Sequence, residues 1–87
     1  MKELNFTRGA ALRRVFIKGR VVSFMTGELG NTPLTIDLDK LDQEKDKIKR
    51  MKMDVNEMKE LSKLKTEEDM AEDIINDFKK TGWTLIK

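Results

Sequence analysis

Cysteine, histidine and tyrosine are all missing from these 87 residues, and proline occurs once. Without cysteine there is no disulfide framework and no thiolate to hold a metal. Without histidine the commonest general base and the commonest imidazole ligand are gone. Serine and threonine hydroxyls therefore lack their usual activating partner. No apolar run approaches the roughly 18–20 residues that span a bilayer; the longest β-branched or aromatic stretch is Val15-Phe16-Ile17. No basic n-region followed by an apolar h-region is visible, so the expectation is a cytoplasmic chain with no membrane partner. A phosphate-binding loop is lacking as well: Gly27-Glu28-Leu29-Gly30 is not followed by the lysine and hydroxyl residue such a loop needs. A calcium loop begun at Asp37 would need Gly sixth and Glu twelfth, where this chain has Asp42 and Ile48. These absences point away from an enzyme and away from any cofactor or metal.

What is present is charge and a moderate apolar content, 39% and 38% of the residues. Leucine, isoleucine, valine, methionine and phenylalanine recur along the whole chain, too many for a disordered tail. The length suits one domain, residues 1–87, and a core that buries only about 60–65% of the unfolded surface. Charge divides that domain in two. Residues 1–36 carry six basic and two acidic side chains, a net +4, whereas residues 37–87 carry twelve and fourteen, a net −2. The expected organisation is a basic β module over 1–38 and a mixed-charge two-helix module with a terminal strand over 39–87.

Period-two alternation marks the strands. Glu3–Thr7 alternates polar and apolar, and Leu34–Leu38 does so with Pro33 at its start, where no ladder donor is needed. Arg8–Arg14 reads as a turn or a single helical turn. From Arg14 to Thr26 the β-branched and aromatic residues favour strand. Run straight, that stretch puts Val15, Ile17, Val21 and Met25 on one face and Arg14, Phe16, Lys18 and Arg20 on the other. Lys18-Gly19 as a tight turn between two shorter strands is the alternative. Gly27–Thr32 reads as a loop.

From Asp39 to Lys65 there is neither Gly nor Pro, and Leu41, Ile48, Met51, Val55, Met58, Leu61 and Leu64 recur near helical spacing. This predicts one helix of about 26 residues, roughly 39 Å long. Thr66, followed by three acids, caps a second helix that ends at Gly82, and Trp83–Lys87 returns as a short strand. The fold expected is α+β: a small antiparallel sheet, N-terminal hairpin strands plus a C-terminal strand, with two helices of which the first is long.

A second helix of about 21 Å cannot cover a first of about 39 Å. An uncovered stripe needs a partner, and a second copy is the simplest. The leading expectation is thus a non-catalytic interaction or regulatory protein acting as a homo-oligomer, most simply a dimer, through Ile48, Met51 and Val55, with a further protein partner unidentified. The competing expectation is a nucleic-acid binder. Arg13, Arg14, Phe16, Lys18 and Arg20 combine cations for phosphates with an aromatic for a base, the chemistry of single-strand platforms. Glu67, Glu68, Asp69, Glu72 and Asp73 read as compensation of the helix dipole and a solvated face. The methionines near the helical stripes read as core filler.

Overall fold

Two tight turns set the sheet. The computed structural model describes residues 1–26, 33–50 and 53–86. Strand β1, Lys2–Arg8, turns at Gly9-Ala10 into β2, Ala11–Lys18, with Arg8 paired to Ala11 and Lys2 to Ile17. Gly9 sits at φ 60°, the left-handed region that such a two-residue turn requires. The helix propensity of Ala10-Ala11-Leu12 yields to this hairpin. A second two-residue turn, Gly19-Arg20, with Gly19 at φ 59°, leads into β3, Val21–Thr26. Strand β4, Leu34–Asp37, pairs antiparallel with β3, and β5, Thr84–Leu85, pairs antiparallel with β1 at Phe6 and Thr7. The spatial order is β4-β3-β2-β1-β5.

The turn at Gly19 reverses the facing expected for a straight strand. Val22 and Phe24 point inward beside Val15 and Ile17, while Val21 and Met25 point out. Leu4, Phe6, Val15, Ile17, Val22, Phe24 and Ile36 make the inner face, and each is buried. Their alternation with exposed or half-buried residues is what one covered and one uncovered face demands.

The long helix predicted over 39–65 does not form. In its place stand a 3-10 helix over Leu38–Gln43, α1 over Lys45–Arg50 and α2 over Val55–Ser62, followed by the longest helix, α3, over Glu67–Lys80. The physical reason is capping and wrapping. The side chain of Asp37 accepts from the Asp39 amide, and that of Asp54 from the Asn56 amide at 2.8 Å, so each starts a fresh helix. A rod of ~39 Å would overrun the longest dimension of the molecule, 33 Å. Broken into pieces, the same stretch delivers Ile48, Met58 and Leu61 to one core, beside Leu38 just before it.

Helix α3 follows its sequence signals. The Thr66 hydroxyl accepts from the Asp69 amide at 3.1 Å, and Glu67, Glu68 and Asp69 fill the first turn. At its far end Gly82 (φ 90°) lets the Trp83 amide donate back to Phe78 carbonyl at 3.0 Å. Phe6 of β1 meets Phe78 of α3 with ring centroids 4.3 Å apart, which ties the sheet to that helix. No described helix is long and apolar enough to cross a membrane.

Candidate functional site

Three places gather the side chains that sequence reasoning singled out, and one of the three was not foreseen. The first is the β2–β3 turn. Arg20 sits in that turn rather than on a strand face. Its Nε donates to Asp39 Oδ1 at 3.1 Å, Nη1 to the Leu64 carbonyl at 2.6 Å and Nη2 to the Ser62 carbonyl. A cation on the carbonyls that end α2 complements the helix dipole and satisfies groups the helix leaves open. The Gly19 amide donates to Glu67 Oε2 at 2.7 Å, and the N-terminal amino group pairs with the other carboxylate oxygen at 3.1 Å. The Gly19 hydrogen bond, then that to the amino group, holds the Glu67 carboxyl below its ordinary range. Arg20 is thus a clip between strand and helix layers, not a member of the expected basic face.

The second place is the outer sheet face. Arg14, Phe16 and Lys18 do lie on it, at alternate positions of β2. Arg13 does not: it points to the helix side, its guanidinium 4.8 Å from the Trp83 ring centre and 6.0 Å from that of Phe78. Arg8 covers the same indole at 4.6 Å and donates to the Thr81 carbonyl. The foreseen group of five is therefore reduced to three. Phe16 occupies the middle, opposite Glu3 on one side and Ser23 on the other, and the Ser23 and Thr35 hydroxyls are 3.0 Å apart. Val21, Met25, Leu12 and Ile86 share the face, the last two 48% and 59% exposed. None of its described side chains is buried. Two cations, Arg14 and Lys18, are matched by two carboxylates, Glu3 and Asp37, the latter in register with Val21.

The third place is a cleft of about 100 Å³ on the helix side. Met53, Met58, Leu61, Ile74 and Phe78 give it an apolar floor, and Glu57 of α2 with Asp73 and Asp77 of α3 give it an acidic rim, while Arg13 and Thr81 close the end nearest the sheet. Burial, then the nearby charges of Asp77 and Asp54, pushes the Glu57 carboxyl up; Lys80 opposes the shift. Burial and then Asp77 push Asp73 up in the same way, again against Lys80. Asp73, expected from the sequence on a solvated face, is half-buried. The useful signal, visible in hindsight, was the like-charge pair Asp73 and Asp77 four residues apart and beside the apolar Ile74 and Phe78.

Of the three residues expected to self-associate, the structure describes two, and both are turned toward the core. Ile48 is 0% exposed and inside the core, so it offers no surface to a second copy. Val55 is half-buried against that core. Met51 lies outside the described residues. The loop expected over Gly27–Thr32 lies outside them too. Met58 and Met70 are core filler, as their spacing suggested. Among the described residues no group of three or more carboxylates is placed to hold a metal ion. No family model, no curated protein and no solved structure matches this chain.

Proposed function

We propose that the chain is a non-catalytic, cytoplasmic protein-interaction module that works as a homo-oligomer, with the outer sheet face replacing the long helix as the contact. The observation that carries this reading is the uncovered face itself: a row of Leu12, Phe16, Val21 and Met25 among two cations and two carboxylates. A face with equal numbers of both signs carries no net charge, so two copies can meet across a two-fold axis without net like-charge repulsion. Two such faces stack at about 10 Å, the spacing of packed sheets. The three longer strands cover only about 10 by 20 Å, below the ~800 Å² per partner of a standard interface. Association is therefore expected at micromolar concentration rather than nanomolar.

Sedimentation equilibrium from about 10 to 500 μM tests this range of affinity. The expected result is a mass rising toward twice the 10.1 kDa chain, with Phe16→Glu monomeric throughout and unchanged in circular dichroism. A wild-type mass that stays at one chain overturns the reading.

A second reading keeps nucleic acid as the partner, because Arg14 and Lys18 flank the exposed-face Phe16 on one strand. Glu3 directly opposite Phe16 counts against it, since a carboxylate repels the phosphates that the cations attract. Binding of single-stranded DNA or RNA that falls steeply with salt and is abolished by Arg14→Glu would establish this second reading in place of the first.

A further inference from the structure

The helix-side cleft is too small for a metabolite and the wrong charge for a polyanion. Small-molecule sites run to about 300–1,000 Å³, whereas this one has about 100 Å³, room for a single aliphatic side chain. Its rim brings three carboxylates, Glu57, Asp73 and Asp77, against the Arg13 guanidinium and the nearby Lys80 ammonium, so acids outnumber bases. Asp73 and Asp77 stand four apart on α3, a like-charge spacing that weakens an isolated helix. Glu57 joins them from a different helix, so the crowding is made by the fold and not by one stretch of sequence. None of the three carboxylates takes part in a hydrogen bond or ion pair among the described residues. The floor includes two thioethers, whose flexible, polarizable side chains adapt to an inserted group.

We infer that this cleft docks a basic amphipathic segment of a partner protein, one aliphatic side chain filling the apolar floor and flanking lysines or arginines meeting Glu57, Asp73 and Asp77. The apolar floor disfavours a purely ionic ligand such as a hydrated inorganic cation, which has no apolar group to place there. The acidic rim excludes an acidic or neutral apolar segment, which would bury the carboxylates without counter-charge. Helix-in-groove recognition sets the apolar face of an amphipathic segment on an apolar floor, and a charged border that complements its polar face adds specificity. Floor and border are both present, on the opposite side of the sheet from Phe16, so docking here and self-association there are separate events.

The test uses the full chain, labelled with nitrogen-15, and peptides of about 18 residues, the first two patterned as amphipathic helices. One is built of leucine and lysine, a second of leucine and glutamate, a third of glycine and lysine. The leucine–lysine peptide is expected to bind saturably and shift the amide signals of Met58, Leu61, Ile74 and Phe78. Its affinity is expected to fall about tenfold or more in an Asp73→Lys, Asp77→Lys double variant, which should take up the leucine–glutamate peptide instead. Should that variant fail to fold, Glu57→Lys alone on the exposed rim serves, with a smaller loss in the same direction. No saturable binding by about 1 mM overturns the inference. So does equal binding of the glycine–lysine peptide, or a shift map centred on Phe16.

Discussion

The two faces of this sheet are written by the same strands and meet opposite fates. Inward, Leu4, Phe6, Val15, Ile17, Val22, Phe24 and Ile36 are sealed beneath the helices. Outward, Phe16, Val21 and Met25 are only half-buried, and Leu12 and Ile86 are largely open. A one-residue change of register would exchange them, because side chains alternate strictly. The inner face can therefore be read as the source of stability, and the outer face as surface left over for other use. A comparison of paired phenylalanines makes that division measurable.

The largest effect belongs to Phe6, which is fully buried and packed on Phe78. Phe6→Ala is expected to cost about 3–5 kcal/mol, a large share of the ~5–15 kcal/mol that keeps a small domain folded. Phe16→Ala, on the other face of the adjoining strand, is expected to cost about 1 kcal/mol or less. Urea unfolding of the two variants measures the contrast, and equal losses would break it. Next in size is Arg20→Ala, which strips the Ser62 and Leu64 carbonyls and Asp39 of their donor. A loss of about 1–3 kcal/mol is expected, seen in the same unfolding curves, with Arg20→Lys recovering only part because an ammonium cannot span three acceptors.

The smallest effect is in the pH dependence. Burial and Asp77 raise the Asp73 carboxyl above its ordinary 3.8, so the folded chain binds a proton there more tightly than the unfolded one. Ionising it costs the fold stability as pH rises through that window. Asp73→Asn should therefore melt slightly higher than the wild type at pH 7 and match it below 3.8. Glu67 has the opposite sign: its carboxyl is held below 4.5, so its contribution is present above that pH and fades as pH falls through the lowered value. Glu67→Gln should melt slightly lower at pH 7 and converge with the wild type in acid. Melting temperatures across pH 2.5–7.5 would show both slopes, of opposite sign.

The sheet was legible where period two was unbroken: Leu4 and Phe6, Val15 and Ile17, and Leu34 and Ile36 all landed inward. Past Gly19 the reading depended on whether the strand turned, and the turn moved Val21 and Met25 to the outside. Helix α3 was legible because Thr66 and Gly82 are unambiguous punctuation. The middle was not, because its breaks are made by aspartates. Asp37 and Asp54 are equally at home as N-caps or on a solvated helix face, and only the fold decides which. The cleft was hidden for the same reason. Glu57 reaches the carboxylates of α3 only once α2 has been cut free and laid beside it.

One consequence follows from where the sheet stops. Its borders are its two shortest strands, four residues in β4 and two in β5, and on β4 the Lys47 ammonium already holds the Thr35 carbonyl at 3.2 Å. Short margins with a lysine laid across one of them offer little template for an incoming strand. Lateral growth into ribbons or fibrils through these two margins is thereby discouraged.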